Sequence, residues 1–374
     1  MRRLSMALAA TASAGLLAAT IPATAASAAP SDPLFGQHIA GIARGLPAGL
    51  PSVGAVRLWD AGVSWKDLEP GPDAYNWAPL QAAVANARAL GASEILYTMG
   101  NTPAWAASDP NSSEALYGRG TNSHPRSNAD YVDFVDDMLA AVPGITAVQI
   151  WNEANLKDFY KGTPAQIAQL TKEVAPVIRA RGAKVVAAST TVRPAGPVGR
   201  FGKAYGAAMR KAGAWKSVDV VTGHFYPPAT KGPNERVKYI KKIKSYFKKY
   251  GAKKKPLWDT EMNFGDTRGY MRVKRQYTGD TAATYVARAY LDARRYGVQR
   301  VFWYGWDIHV LGTDMTSRGS GAVDAGGQGF LSIQEWLAGQ GWGGCKVKAA
   351  VTTCKVGGGT IRYAVSKPRT ITLP

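Results

Sequence analysis

Short apolar blocks recur along the chain, and most of them are separated by segments with the spacing of an amphipathic helix. The blocks with strand character are Phe35–Ile42, Gly54–Trp59, Ser93–Thr98, Ile145–Trp151, Lys184–Ala188, Ser217–His224, Lys255–Thr260 and Val298–Tyr304. The segments with helical spacing include Leu80–Leu90, Asn128–Leu139, Pro164–Arg181, Gly202–Ala212, Thr281–Tyr296 and Ile333–Leu337. Alternating strands and helices predict a parallel sheet covered by helices. Eight such units predict a closed (β/α)8 TIM barrel rather than an open doubly wound sheet.

The first 29 residues have the pattern of a secretory signal peptide. Two arginines precede an Ala- and Leu-rich stretch over residues 4–21, and the small residues 26–28 offer a cleavage site. A single membrane anchor is the alternative, but the polar residues and the proline of this stretch weaken it. We therefore expect a secreted, extracellular protein with no membrane partner, because no later segment is apolar for long enough to span a bilayer.

Composition divides the remaining chain into a large domain and a small extension. Residues 30–340 carry the alternating pattern, whereas residues 341–374 are rich in Gly, Thr, Val and Lys and predict a small β appendage. The cysteines Cys345 and Cys354 lie in this appendage, and in an exported protein they predict a local disulfide. The four histidines are not clustered, so we expect neither a catalytic metal nor a cofactor.

The chain is strongly basic, with a formal charge of +20 that becomes 20 − 2 = +18 without the two signal arginines. Such a charge favours anionic surroundings, so an anionic or wall-associated glycan is one expected partner. Much of the charge lies between Arg236 and Lys255, where lysines alternate with apolar residues at helical spacing. We interpret this segment as an amphipathic helix with a solvated basic face, and a specific polyanion site is the alternative. No motif supports nucleic-acid binding.

The polar and aromatic residues that could take part in binding or catalysis follow the predicted strands. In a (β/α)8 barrel the carboxyl ends of the strands meet at one mouth, so these side chains are expected to converge. They are Arg57 on strand two, Asn152 and Glu153 on strand four, His224 and Tyr226 on strand six, Glu261 on strand seven, and Trp303 and Trp306 on strand eight.

Two facing carboxylates suit the hydrolysis of a glycosidic bond. One must be protonated to donate a proton to the leaving oxygen, and the other must be ionised to attack the anomeric carbon. Their proximity separates the two pKa values, because ionising one carboxyl discourages ionising the other. In this interpretation Arg57 and Tyr226 hold the nucleophile, Asn152 binds a sugar hydroxyl, and a tryptophan supplies a flat apolar face for the sugar.

These residues resemble the site of clan A glycoside hydrolases, most closely family 39 and its relatives. The resemblance rests on Asn152-Glu153, on Glu261, on Arg57, on the His-x-Tyr of residues 224–226 and on a strand-eight tryptophan, Trp303 or Trp306. It implies a TIM barrel and a retaining glycosidase, with Glu153 as acid/base and Glu261 as nucleophile. The two carboxyl groups are then expected about 5–5.5 Å apart. Residue 154 is Ala, where relatives often have Pro.

Two other classes of protein compete with this hypothesis. One is a catalytically inactive carbohydrate- or cell-wall-binding protein on the same barrel, and the other is a basic wall-adhesion protein. The intact pair of glutamates favours the enzyme. Glu69, although acidic, lies in a Glu-Pro turn and is interpreted as structural. We expect a monomer that acts on a carbohydrate substrate.

Overall fold

The computed structural model describes residues 31–47, 49–192, 196–364 and 371–372, and its centre is a barrel of eight parallel strands. The strands are β1 (Phe35–Gln37), β2 (Ala55–Leu58), β3 (Glu94–Thr98), β4 (Ala147–Gln149), β5 (Lys184–Val186), β6 (Val221–His224), β7 (Leu257–Met262) and β8 (Val298–Trp303). They pair in the order β5-β4-β3-β2-β1-β8-β7-β6. A parallel bridge between Val186 and Val220 joins β5 to the residue before β6 and closes the barrel. The predicted (β/α)8 fold is confirmed, and every predicted strand overlaps an observed one.

Helices follow the strands and cover the outside of the barrel. They are α1 (Trp65–Leu68), α2 (Ala78–Ala89), α3 (Asn128–Ala141), α4 (Pro164–Ala180), α5 (Gly196–Lys211), α6 (Pro233–Tyr250), α7 (Gly279–Tyr296) and α8 (Ala325–Leu337). Helix α4 begins as predicted, because the side chains and backbones of Thr163 and Gln166 cap each other. Helices α6 and α7 end at Gly251 and Gly297, whose left-handed backbone suits glycine.

Helix α8 is longer than the predicted Ile333–Leu337, because its first turns are built on glycines. A Cβ atom on Gly326 would lie 2.2 Å from the carbonyl oxygen of Asp314, and one on Gly329 would lie 2.3 Å from that of Ala283. The glycines therefore permit close contact between backbones. Sequence propensity counts the same glycines against a helix, which explains why the prediction began too late.

The inner face of the barrel is filled by alternate residues of the strands. One buried cluster contains Ala55, Leu96, Ala147, Val186, Val220, Trp258 and Phe302. Residues two positions later share this inward direction, because side chains of a strand alternate between its two faces. Thr222 and Thr260 form such a pair, with 2.6 Å between their hydroxyl oxygens. Arg57, two residues after Ala55, also points inward, towards the mouth of the barrel.

The basic segment is an amphipathic helix, as predicted, with Ile240, Ile243 and Phe247 buried and most of its lysines exposed. Arg236 departs from this interpretation. Its side chain is buried, and its Nη2 lies 2.7 Å from Oδ2 of Asp259 on β7. Arg236 therefore joins α6 to the barrel wall and does not belong to the solvated basic face.

The C-terminal extension contains a small antiparallel sheet. Its strands are β9 (Trp342–Lys348), β10 (Val351–Val356), β11 (Gly359–Ala364) and β12 (Ile371–Thr372), in the order β12-β11-β10-β9. Cys345 and Cys354 form a disulfide between β9 and β10, which confirms the predicted pairing. The sheet packs on α7 through Tyr363, whose hydroxyl donates to Asp292 over 2.8 Å while the Arg288 guanidinium lies 4.3 Å from its ring centroid.

The predicted signal peptide of residues 1–29 lies outside the described residues, so secretion remains a prediction, as do the domain boundaries. Within the part of the chain that the structure describes, no helix is both long enough and apolar enough to cross a membrane.

Candidate active site

Arg57, at the end of β2, connects the polar ends of four strands. Its Nη1 donates to Oε2 of Glu261 over 2.7 Å and to Nε2 of His38 over 2.7 Å. Its Nη2 donates to Oδ1 of Asn152 over 2.6 Å. The guanidinium is buried, with 1% of the residue exposed. Arg57 therefore bonds to three protein groups beneath the mouth of the barrel, and its role in the site remains a prediction.

A β-bulge positions Glu261. In the pairing of β6 with β7, Gly223 lies opposite Asp259 and His224 lies opposite Glu261. Thr260 is therefore an extra residue of β7 that lies opposite no residue of β6 in the strand register. Asp259 points outward to Arg236. With strict alternation Glu261 would point outward too, but the extra residue redirects its side chain to the mouth. The bulge therefore makes Glu261 available to the site.

Glu153 follows β4 with an unusual backbone, φ +38°, which L-residues seldom adopt. Its amide donates to the Ser189 hydroxyl over 2.9 Å, and the next amide, of Ala154, donates to the Ser189 carbonyl over 2.9 Å. These two hydrogen bonds hold the turn that presents the Glu153 side chain. Oε1 of this side chain accepts a hydrogen bond from Nδ1 of His224 over 2.9 Å.

Glu153, His224 and Glu261 form a compact group. One carboxylate oxygen of each glutamate and a ring nitrogen of the histidine all lie within 4.8 Å of one another. Nδ1 of His224 lies 3.7 Å from Oε1 of Glu261. The same Oε1 accepts a hydrogen bond from the Tyr226 hydroxyl over 2.8 Å. Both glutamates are largely buried, at 7% and 8% exposure, but both line an open cleft.

The electrostatics of this group are dominated by burial. Burial raises the pKa of Glu261, and the positive charge of Arg57 opposes this shift. Burial, assisted by Arg57, lowers the pKa of His224 to about 3. His224 is therefore neutral at neutral pH, and its Nδ1–H donates to Glu153. A neutral His224 adds no positive charge beside Glu261, so Arg57 supplies the cation.

His224 is completely buried and does not line the cleft. Its contact with the site is through Glu153, and its role there remains a prediction. Asn152 is also buried, and the bond to Arg57 orients its amide. Tyr226 does line the cleft, beside Glu261.

His38 is a site residue that the sequence analysis missed. Its Nε2 accepts from Arg57, so its proton is on Nδ1, which donates to the carbonyl oxygen of Trp303 over 3.2 Å. Burial keeps the pKa of His38 well below its usual range, so this histidine is neutral. A histidine within the first predicted strand segment, Phe35–Ile42, was the available signal.

The glutamates lie in a cleft of about 560 Å³ at the carboxyl end of the barrel. Its aromatic lining consists of Trp59, Tyr117, Phe159, Tyr226, Tyr270 and Tyr304. Trp59 contacts Tyr117 edge to face, with 5.5 Å between ring centroids. Most of these rings come from loops after the strands, where sequence patterns do not reveal which residues share a surface.

The structure places neither strand-eight tryptophan in the cleft lining, and the sugar platform remains a prediction. Trp303 and Trp306 are completely buried and are not among the cleft-lining residues. Phe302 faces the barrel interior, so alternation turns Trp303 outward, where it packs on Phe264 with 6.0 Å between centroids. Trp306 packs on Phe330 of α8. Tyr304, the residue directly after β8, is the aromatic residue from this strand end that lines the cleft.

Glu153, His224 and Glu261 have the donor types and spacing of a metal site. The guanidinium of Arg57 already provides a cation bonded to Glu261, and a divalent ion would compete with it. The arrangement is better matched to a pair of carboxyl groups of unequal protonation. Elsewhere, Glu69 is bound by the indole nitrogen of Trp65 over 2.8 Å and lies outside the cleft lining, in line with its structural interpretation.

Comparison with known proteins yields structural relatives only. No family model matches the sequence, and no curated protein is significantly similar to it. A family 39 glycoside hydrolase from the gut symbiont Bacteroides cellulosilyticus WH2 superposes with a TM-score of 0.61 and 16% identity, over 83% of this chain and 65% of that one.

Two further solved structures are similar. A glucosidase from Croceicoccus marinus gives a TM-score of 0.62 at 15% identity, over 88% of this chain and 76% of that one. A monomeric β-xylosidase from Caulobacter crescentus CB15 gives 0.60 at 17% identity, over 90% and 75%. At such identities the likeness concerns the fold, and at that level the resemblance to family 39 glycoside hydrolases is confirmed.

Proposed function

We propose that the protein is a retaining glycoside hydrolase, with Glu153 as general acid/base and Glu261 as nucleophile. The observation that carries the proposal is the pair of glutamates in the cleft, with carboxylate oxygens within 4.8 Å of each other. Retaining enzymes hold their carboxyl groups about 5–5.5 Å apart, whereas inverting enzymes need about 6.5–9.5 Å to admit a water molecule. The short separation favours retention.

In the first step Glu261 attacks the anomeric carbon, and the glycosidic C–O bond breaks. The electron pair of that bond passes to the leaving oxygen, which takes the proton of Glu153. In the second step Glu153 removes a proton from water. The water oxygen attacks the anomeric carbon and displaces Glu261, which restores both carboxyl groups to their initial states.

The neighbouring residues support these roles. Arg57 and Tyr226 bond to the two oxygens of Glu261, which stabilises its ionised form and aims it. The Nδ1–H of His224 bonds to Oε1 of Glu153 and supports the position of this carboxyl group near Glu261. Oδ1 of Asn152 is occupied by Arg57, which leaves its amide NH2 as a donor for a sugar hydroxyl. The aromatic lining offers faces for the C–H side of a sugar ring.

Localisation and assembly complete the proposal. The signal-like residues 1–29 favour secretion, and we propose that the mature enzyme acts outside the cell as a monomer. N-terminal sequencing of protein from the culture medium tests secretion. Light scattering of the purified protein tests its oligomeric state.

The test is hydrolysis of a panel of aryl glycosides and polysaccharides by the wild type, Glu153→Gln and Glu261→Gln. We expect turnover by the wild type and a loss of at least about 1000-fold with Glu261→Gln. Glu69→Gln is the matched control, because this buried glutamate lies outside the cleft. It should retain kcat. Equal activity of the wild type and Glu261→Gln would refute the assignment.

Azide distinguishes the two roles. With Glu261→Ala, azide attacks the anomeric carbon in place of the missing carboxylate, and the glycosyl azide formed has the opposite anomeric configuration to the substrate. With Glu153→Ala, azide releases the glycosyl-enzyme, and its product retains the substrate configuration. The reverse pattern would exchange the two assignments.

The competing function is carbohydrate or wall binding without turnover. Both glutamates are present, and Arg57 and Tyr226 bond to one of them, which favours an active enzyme over a binding protein. Binding to a polysaccharide without release of reducing ends would support it. Binding that disappears in high salt for every anionic polymer would instead support simple basic adhesion.

A further inference from the structure

The cleft contains a carboxylate that the proposed mechanism does not use. Asp60 follows β2 with φ +58° and lines the same cleft as Glu153 and Glu261. The side chain is close enough to the nucleophile for its charge to contribute to the raised pKa of Glu261. Asp60 is therefore a third acidic group beside the reacting centre.

Two tyrosines hold Asp60 in place. The Tyr304 hydroxyl donates to Oδ2 of Asp60 over 2.6 Å. Tyr117 contributes a second hydrogen bond, and both bonds oppose the rise that burial causes in the pKa of Asp60. A carboxylate accepts about four hydrogen bonds, so the oxygens of Asp60 can still accept hydrogen bonds from a ligand in the cleft while the two tyrosines hold them in position.

The charge of the described cleft lining is one-sided. It contains four acidic residues, Asp60, Glu153, Asp158 and Glu261, and no Lys, Arg or His among the residues that the structure describes. The nearby Arg57 is buried and bonded to three protein groups. A sugar carboxylate in this cleft would meet like charges without a counter-ion.

The positive charge of the protein is concentrated elsewhere. A hollow lined by Lys244, Lys248, Lys253, Lys254 and Lys255 also includes Val221 and Leu257, the first residues of β6 and β7. It therefore lies at the amino end of the strands, whereas the cleft lies at their carboxyl end. Net charge consequently says little about the sugar in the cleft.

We propose that Asp60 is a substrate-binding residue that selects sugars presenting a hydrogen-bond donor, a hydroxyl or an ammonium group, and rejects sugars bearing a carboxylate. This inference rests on the proposed glycosidase function and specifies its substrate class. It replaces the expectation, drawn from net charge, that the glycan in the cleft is anionic.

The test compares matched aryl glycosides that differ in one charged group. The pairs are glucoside with glucuronide and galactoside with galacturonide, and glucosaminide and galactosaminide supply the ammonium arm. For the wild type we expect kcat/KM for the better neutral or amino sugar to exceed that of its uronide by at least about 100-fold, because like charges in a cleft repel strongly. A wild type that prefers a uronide overturns the proposal.

Asp60→Asn supplies the second readout. It should lower kcat/KM for the preferred sugar by about 10-fold or more, and it should narrow the ratio between that sugar and its uronide. Asp136→Asn is the matched control, because it removes one negative charge from α3, outside the cleft lining. A purely structural defect would lower kcat/KM by the same factor for every substrate. An unchanged ratio of kcat/KM between the preferred sugar and its uronide in Asp60→Asn therefore also overturns the proposal.

The test distinguishes a hydroxyl donor from an ammonium donor, and it separates the role of Asp60 from the glycosidase function itself. A preferred glucosaminide or galactosaminide whose rate falls as its amine loses a proton identifies ammonium, and a preferred neutral sugar identifies hydroxyl. If the wild type hydrolyses nothing, the glycosidase proposal fails. Binding of the corresponding neutral, amino and uronic oligosaccharides, followed by tryptophan fluorescence, then decides the selectivity. Binding of uronides, or of no sugar, overturns the role of Asp60.

Discussion

Arg57 and Glu261 are 204 positions apart in the sequence, yet their side chains form a buried ion pair of 2.7 Å. This pair supplies the only cation bonded to Glu261 among the described residues, because burial keeps His224 neutral. The ionised state of the proposed nucleophile therefore depends on Arg57.

Arg57→Gln should lower kcat/KM by about 100-fold or more, because it removes preorganised charge from the reacting centre. The acid limb of the pH profile should also move to higher pH. Arg57 lowers the pKa of Glu261, so its removal raises that pKa. As the pH falls, Glu261 is then protonated, and inactive as a nucleophile, at a higher pH than in the wild type. The measurement is kcat/KM against pH, with the exposed-arginine variant Arg126→Gln as control. A reduced rate with an unmoved acid limb would contradict this electrostatic role.

His224 should not titrate in the range where the enzyme works. Its pKa is lowered to about 3, so the ring is neutral from about pH 4 upward and contributes no limb to the activity profile. Nitrogen-15 NMR of the imidazole rings checks this, with His224→Gln identifying the resonance. A resonance that is lost in this variant and that titrates above pH 5 would show that the site holds a histidinium.

Trp59 and Trp303 should respond differently to substitution. Trp59 lines the cleft, so Trp59→Ala should raise KM by about 10-fold through loss of an aromatic face. Trp303 is buried on the outer side of β8, so Trp303→Phe should leave KM within about twofold and lower the free energy of unfolding by about 1–3 kcal/mol. Steady-state kinetics and urea unfolding measure both. If Trp303→Phe instead raised KM alone, the sugar platform would lie on strand eight.

Arg236→Met should destabilise the fold by about 3–5 kcal/mol, because it leaves the buried carboxylate of Asp259 without its cationic partner. Burial raises the pKa of Asp259 to about 7, and loss of Arg236 raises it further. At pH 5 the carboxyl is protonated in both proteins, whereas at pH 8 it is ionised and paired in the wild type and protonated or unpaired in the variant, so the loss of stability should be greater at pH 8.

Urea unfolding at the two pH values tests this. The double variant Arg236→Met with Asp259→Leu is the control and should recover most of the lost stability. An equal loss at both pH values would mean that the carboxyl of Asp259 does not change its protonation state between them.

The sequence by itself determined the barrel and most residues of the site. Alternating strand and helix patterns are local, and a closed parallel barrel brings all carboxyl ends of its strands to one mouth. For that reason Arg57, Asn152, Glu153, Tyr226 and Glu261 could be grouped before any distance was known. The disulfide of the appendage followed equally from two nearby cysteines.

Only the tertiary structure decided which way the side chains point and which loops meet. A barrel strand is buried on both faces, so its residues are apolar throughout and hydrophobicity does not reveal which ones face inward. For this reason the sequence left open whether Trp303 or Trp306 faces the sugar, and the structure places neither in the cleft lining. The bulge at Thr260 that redirects Glu261 left no local signal. Asp60 and Tyr117 meet through loops far apart in the chain. Such contacts depend on the packing of the whole barrel and not on neighbouring residues in the sequence.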